Sequence, residues 1–404
     1  MGKYRQYLLS VLLCLVFVSP VRAFSILAHE AIIDAGWQDH IKPLLLKKYP
    51  QSTENDLQVA QSYAYGGSLV ADMGYIPGGS PYFTNLLHYV RSGDMVMALL
   101  NEAHDLNEYA FAIGALSHYV ADKYGHALAT NPSVAIRYPK LKKKFGDVVT
   151  YDNDHSSHSC MEFAYDVIQT VKGNYASTAY HNFIGFNIAT PVLRRAFQKI
   201  YGQQLNDVFP KFDSAINTFR WGVRSLFPEL ARTAWRSDEE GIRQSREHIN
   251  RETFCYQMPR KAFDKQYGKE YTHVGIGAKS LAMFIEAMPK IGPFKKLQFR
   301  YPGVKCEELY LKSMDSILIN YASLMQRADN NNLKLPNINF DTGNRSAFKE
   351  YALADKSYSE WIDRLKKANQ NLPDDAIRSN IMAFYKNTGN KNNISPYLIA
   401  QAKE

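Results

Sequence analysis

Residues 114–129 read GALSHYVADKYGHALA, and this stretch decides how the chain is read. His118, Asp122 and His126 recur at every fourth position. At about 100° per residue, the three lie within about 80° of one another on a single helix face. Apolar residues recur at spacings of three and four throughout 95–128, and the same period runs through 28–46, 57–73, 161–171, 192–201, 278–288 and 307–325. Gly and Pro signals at 77–81, 131–132, 292–293 and 301–303 separate these segments. Alternation of β-branched residues is scarce, and only 147–151 reads as a short strand. The polar stretches 329–344 and 386–393 read as surface loops or frayed ends. The expected fold is mainly α, a multi-helix bundle with an additional helical C-terminal region.

The 404 residues, 46% hydrophobic and 22% charged, suffice for a packed core and exclude a disordered, collagen-like or disulfide-scaffold chain. Lys3 and Arg5 precede an apolar run at 8–18, and Val21 and Ala23 occupy the small-residue positions of a cleavage site. That pattern is a secretory signal, too short to anchor the chain. Residues 1–23 are therefore expected to be removed and the mature chain to begin at Phe24, exported as a periplasmic or secreted product with no transmembrane segment. Of the four cysteines, Cys14 falls in the signal. Cys160, Cys255 and Cys306 allow at most one internal disulfide, with Cys255–Cys306 the expected pair. Charge divides the mature chain. Residues 24–200 carry 14 basic and 16 acidic side chains, whereas 201–404 carry 31 and 23. The formal +9 of the whole chain thus sits mostly in its second half. The division is expected near residue 215, giving units 24–215 and 216–404.

Histidine placement carries the chemistry. Besides His118, Asp122 and His126, His158 and Glu162 stand one helical turn apart, Asp72 and His88 lie upstream, and His29 comes five residues after the new N-terminus. Imidazole nitrogen and carboxylate oxygen suit zinc, with bonds of about 2.0–2.2 Å. There are too many ligands for one ion, so several adjacent cations partly bridged by carboxylate are expected. Such clusters neutralise phosphate charge and generate hydroxide near neutral pH, which is phosphodiester-hydrolysis chemistry.

The ordered series resembles the zinc-dependent phospholipase C family, whose fold and metal cluster are shared with the single-strand-specific zinc nucleases. The resemblance covers about residues 24–200 and implies a zinc phospholipase C/nuclease-like helical bundle with three zinc ions. One ion would use Asp72, His88, His118 and Asp122. A second would use His126, His158 and Glu162. The third would use the amino nitrogen and carbonyl oxygen of Phe24, with His29 and a bridging Asp122. The resemblance also implies Asp72 as general base. Three features depart from the family pattern: Phe24 stands where Trp is usual, the Asp122–His126 gap is short, and 201–404 has no counterpart in small members. The short gap is similar to that of lipid-anchor-cleaving phospholipase D relatives.

Taken singly, a helix-face histidine is usually structural. His155 rivals His158 but has Ser159 rather than an acid four positions on, and Cys160 lies about 200° around the helix from His158. Asp154 reads as a cap and Asp166 as a surface or supporting acid. Tyr75, Tyr82, Phe83 and Tyr89 flank two ligands and read either as an apolar or choline-binding pocket or as core. The resulting expectation is an exported zinc phospholipase C. It would hydrolyse the glycerol–phosphate ester of phospholipids at a membrane surface, through zinc-activated water, to diacylglycerol and a phosphorylated head group. Three alternatives stand beside it: a single-strand nuclease on the same platform, phospholipase D-type cleavage of the other ester bond, and a non-catalytic zinc-binding exported protein. Nucleic acid is a partner only under the first of these.

Overall fold

The computed structural model describes residues 26–75, 78–172, 185–221, 235, 239–240, 243, 251, 302–368 and 375–386. The expected signal segment, Phe24, Cys255 and the helix expected at 278–288 lie outside these residues. Among the described residues the fold is all-α: no strand forms, and one isolated bridge joins Ile338 to Arg345. In chain order the helices are α1 (Ile26–Gly36), α2 (Lys42–Lys48), α3 (Glu54–Leu69), α4 (Pro81–Tyr89), α5 (Ser92–Glu102) and α6 (Leu106–Gly125). Then follow α7 (Asn131–Arg137), α8 (Pro139–Phe145), α9 (His155–Lys172), α10 (Thr190–Tyr201), α11 (Leu205–Val208) and α12 (Phe212–Trp221). The C-terminal part adds α13 (Val304–Asp329), α14 (Ala352–Lys367) and α15 (Asp375–Tyr385). No helix among the described residues is long and apolar enough to cross a membrane.

Local chemistry sets most boundaries. Thr53 starts α3 with a reciprocal cap, its hydroxyl accepting from the Asp56 N–H while the Asp56 carboxylate accepts from the Thr53 N–H. The single helix expected over 95–128 is two, because the Asp105 side chain accepts from the Glu108 N–H and begins α6 afresh. Asn131-Pro132, expected to be a turn, instead opens α7. Proline in the first turn gives up an N–H that no carbonyl of the helix requires. Residues 147–151 form a loop rather than a strand, since Val149 donates to the Asn131 carbonyl and no partner strand lies alongside.

Helix α6 is the axis of the bundle. It is buried on nearly every side from Glu108 to Asp122, as expected of a helix enclosed by others. It meets α3 backbone to backbone. A Cβ added at Gly114 would lie 2.0 Å from the Ala64 carbonyl oxygen, and one at Gly67 would lie 1.9 Å from that of Phe111. Only glycine permits this approach, and it carries the end of α3 onto the part of α6 that bears His118.

The C-terminal helices share this core. In α13, Cys306, Tyr310, Ile317, Tyr321 and Met325 are buried along one face, and the Tyr321 hydroxyl donates to the Ile113 carbonyl of α6 at 2.9 Å. Fully burying each such apolar side chain stabilises the fold by roughly 1.5–3 kcal/mol. In α14, Trp361 is fully buried and its indole N–H donates to the Tyr201 carbonyl. Cys306 is a buried thiol whose sulfur faces the Ser133 carbonyl, and Cys255, its expected partner, lies outside the described residues.

Part of the stretch 329–344, expected to lie on the surface, runs into the interior. Leu333, Leu335, Ile338, Asn339, Phe340 and Asp341 are all buried. Ser92 fixes the segment by donating its hydroxyl to the Ile338 carbonyl while accepting the Ile338 N–H. The Tyr119 hydroxyl donates to the Pro336 carbonyl. A turn then reverses the chain at Gly343, whose φ of +72° and close approach to the Lys123 carbonyl both require glycine. Polar composition concealed a segment whose alternate residues are apolar.

Candidate metal centre

Eight side chains expected as ligands are buried together: His29, Asp72, His88, His118, Asp122, His126, His158 and Glu162 are each at most 4% exposed. Their potential ligand atoms form three groups, each within 4.8 Å: His29, His118 and Asp122; Asp72, His88 and His118; and His126, His158 and Glu162. Helix α6 supplies His118 and Asp122, while His126 opens the π-helical turn that follows it. Such turns are common at functional sites. Helix α1 presents His29, and Asp72 sits in the 3₁₀ turn that ends α3. There the Thr84 hydroxyl, donating to the Ala71 carbonyl and accepting the Gly74 N–H, ties the turn to α4.

Backbone carbonyls dictate which nitrogen of three imidazoles carries the proton. Nδ1 of His118 lies 2.8 Å from the Ser68 carbonyl oxygen, Nδ1 of His88 2.9 Å from that of Thr84, and Nδ1 of His126 3.1 Å from that of Phe340. A carbonyl can only accept, so each Nδ1 must be the donor and each Nε2 presents its lone pair to the cluster. His158 is held the other way round. Its Nε2 lies 3.0 Å from Oδ1 of Asn131, whose amide N–H donates to the Asp341 carbonyl, so Nδ1 turns its lone pair to the cluster, 2.8 Å from Glu162 Oε1.

The spacings between ligand atoms test the fit to zinc. Four ligands at about 2.0–2.1 Å in a tetrahedron lie about 3.3–3.4 Å from one another. In the first part of the cluster, His118 Nε2 is 3.1 Å and His88 Nε2 3.4 Å from Asp122 Oδ2, while His88 Nε2 is 3.3 Å from Asp72 Oδ1. His29 Nε2 lies 3.5 Å from Asp122 Oδ1, so the two Asp122 oxygens face different histidines, as a bridging carboxylate requires. In the last group, His126 Nε2 is 3.3 Å from Glu162 Oε1. Both oxygens of Asp72 and of Asp122 are buried without a hydrogen-bond donor in bonding geometry. Buried carboxylates in that condition call for a cation.

The protonation preferences point the same way. Burial pushes the Asp122 carboxyl up, but His118 and His126 more than offset this and hold it well below the ordinary carboxylate range. Burial lowers His118, yet Asp122 and Asp72 prevail and push it up to about 9. Burial and the neighbouring His118 imidazole, stacked at 4.4 Å between centroids, hold His29 well below its ordinary value. Protons thus do for the carboxylates what a divalent cation would do better.

The supporting residues were partly legible. Asp154 caps α9 by accepting from the Ser157 N–H. His155 packs against Tyr151 at 4.2 Å and stands outside the three groups, as does half-buried Cys160. Asp166, read as a surface or supporting acid, is buried and accepts from the Ala28 N–H at 3.1 Å, next to His29. The four aromatic candidates separate. Phe83 is fully buried against Phe197, Phe209 and Phe212. Tyr82 is buried, bonded to Gln203 and covered by Arg364. Both are therefore core residues rather than pocket walls. Tyr89 is buried and donates to Asp341. Tyr75 keeps partial exposure beside His88 and Tyr151. Asn131, Phe340 and Asp341 were missed. Asp341 stands in Asn339-Phe340-Asp341-Thr342-Gly343, whose composition signals a turn and whose position is far from every histidine in sequence.

Comparison with known proteins agrees with this geometry. The family model described as zinc dependent phospholipase C matches residues 28–210, which include all eight side chains. No curated protein and no solved structure matches the chain. Residues 28–210 are thus similar to the zinc-dependent phospholipase C family.

Proposed function

We propose that this protein is a zinc-dependent phosphodiesterase that acts as a phospholipase C, releasing diacylglycerol and a phosphorylated head group. The observation that supports it most is the adjacency of three buried ligand groups, two of them sharing His118, within the family-matched residues. Asp72, His88, His118 and Asp122 would hold one zinc ion and His126, His158 and Glu162 a second. His29 and Asp122, with the N-terminal Phe24 of a cleaved chain, would hold a third. Bound zinc supplies positive charge at the phosphate oxygens and acidifies water.

The residues do the rest. Asp72 takes the proton of the attacking water on whichever carboxylate oxygen is not engaged in ligation. The water oxygen bonds to phosphorus as the phosphorus–glycerol oxygen bond breaks, and the released proton ends on the glycerol oxygen. His118 and His88, locked by the Ser68 and Thr84 carbonyls, keep the ligand nitrogens in place without rearrangement. Half-buried Tyr75 offers an aromatic face to a head group beside His88. Export through a cleaved signal would bring the enzyme to its lipid surface, where adsorption is peripheral and transient.

Purified mature protein, zinc-loaded or chelated, is assayed on phosphatidylcholine, phosphatidylglycerol and single-stranded nucleic acid. Zinc-dependent release of a phosphorylated head group supports the proposal. Phosphatidic acid would assign the other ester bond, and nucleotide release alone would assign a nuclease. No zinc-dependent turnover on either class would leave a non-catalytic zinc protein.

A further inference from the structure

The family-matched region ends at residue 210, yet the His126–His158–Glu162 group is completed by residues 130 positions further on. His126 Nδ1 faces two acceptors at once, the Phe340 carbonyl at 3.1 Å and Asp341 Oδ1 at 3.4 Å. The other oxygen of Asp341 accepts the hydroxyls of Tyr89 and Tyr351. Tyr351 in turn accepts the Asp152 N–H, so its proton must point to Asp341. The Asp341 carbonyl receives the Asn131 amide N–H at 2.7 Å, which turns the amide oxygen toward His158 Nε2. The Asp341 N–H is fixed on the Asn339 side chain, and the Phe340 N–H on the His88 carbonyl. Every polar atom of this short segment named here has a partner, and two of those contacts set the tautomers of two separate imidazoles.

We infer that Asp341, with the Phe340 and Asp341 carbonyls, is the positioning element of the metal site built from His126, His158 and Glu162. The C-terminal region is accordingly a structural part of that centre and not an appendage to it. A carboxylate behind a ligating imidazole fixes its ring and raises its basicity, and losing such a partner typically weakens metal binding about 10–100-fold. The inference rests on reading those three side chains as ligands.

The test compares wild type with Asp341→Asn, Asp341→Ala and Tyr351→Phe, measuring zinc affinity with a competing chromophoric chelator and the absorption spectrum of the cobalt-substituted proteins. Asp341→Asn is the decisive variant. Its amide oxygen can still accept from His126 and its NH₂ can donate to a rotated Tyr89 hydroxyl, while Tyr351, already accepting from Asp152, gives up its bond; side-chain size is kept without the negative charge. The expected result is zinc retention at one site weakened about 10-fold or more in Asp341→Ala and less in Asp341→Asn. The cobalt spectrum should shift in both. Tyr351→Phe should lower the melting temperature of the chelated protein and leave zinc affinity within about twofold, because the His126 contact remains. Wild-type affinity and an unchanged cobalt spectrum in both Asp341 variants would overturn the inference. Wild type that binds no zinc would instead overturn the ligand reading beneath it.

Discussion

Gly114→Ala puts one methyl group where the bundle has no room. The new Cβ would lie 2.0 Å from the Ala64 carbonyl oxygen and 3.0 Å from the Ser68 nitrogen, where ordinary contact begins at 3.4 Å. Both obstacles are backbone, so no side chain can swing aside, and α3 must retreat from α6 by about 1 Å or more. Ser68 lies one turn beyond Ala64, and His118 one turn beyond Gly114. The retreat therefore opens the 2.8 Å contact between the Ser68 carbonyl and His118 Nδ1 past hydrogen-bonding range. Overpacking costs about 1–3 kcal/mol and an orphaned buried hydrogen bond about 1–3 more, while alanine's helix propensity returns about 1. The net loss is about 1–5 kcal/mol, or roughly 1–6 °C in melting temperature at about 2.1 cal/mol/K of unfolding entropy per residue. Zinc affinity should fall as well, by about 10-fold, because His118 loses the carbonyl that fixes its tautomer. Thermal melts of chelated protein and chelator competition read the two effects separately. Gly146→Ala is the control. Its φ is +90° with nothing within 4 Å, so it should lower stability while leaving zinc affinity unchanged. Wild-type melting and zinc binding in Gly114→Ala would refute the reasoning.

Three further outcomes are expected. Chelation should lower the melting temperature substantially, since each site at a free zinc concentration of 100 times its dissociation constant adds about 2.7 kcal/mol; identical melts with and without zinc would contradict the cluster. Asp34, which accepts from Tyr65 and Gln61, has a carboxyl that burial pushes up to about 6, against the hydrogen bonds that lower it. Its folded pKa exceeds its unfolded one, so its stabilising contribution is complete near pH 4 and lost as pH rises through about 6. In chelated protein, Asp34→Asn should gain about 2–3 kcal/mol on wild type between pH 4.5 and 7.5 by urea denaturation, and parallel pH curves would count against this. Finally, one extra residue before Phe24 should reduce zinc stoichiometry and activity together; a variant unchanged in both would remove the N-terminus from the proposed third site.

Much of the candidate centre was legible because its candidate ligands obey local rules. His118, Asp122 and His126 share a helix face by spacing alone, and Glu162 stands one turn after His158. Long-range features were not legible. That the Ser68 carbonyl lies 2.8 Å from His118 Nδ1 follows from the glycine contact of α3 with α6, and a glycine in sequence does not say what it touches. Asp341 was hidden for a related reason. Residues 329–344 are polar enough to read as solvated, and Asn330, Asn331, Asn332 and Lys334 are exposed, but the polar groups of Ile338 and Asp341 face His126, Tyr89, Asn131 and Ser92 rather than water. The helix break at Asp105 is a lesser case. The apolar period of 95–128 spans it, and only the side-chain cap divides the run.

The most direct test of the account is a product analysis by phosphorus NMR and lipid mass spectrometry. Mature protein would be supplied with zinc and phosphatidylcholine vesicles, alongside the same protein with Asp122→Asn and His118→Ala. The account predicts phosphocholine and diacylglycerol in equal amounts from the zinc-loaded wild type, and neither from the variants nor after chelation. Intact phospholipid from a wild type shown to carry its zinc, or equal turnover by the variants, would contradict it.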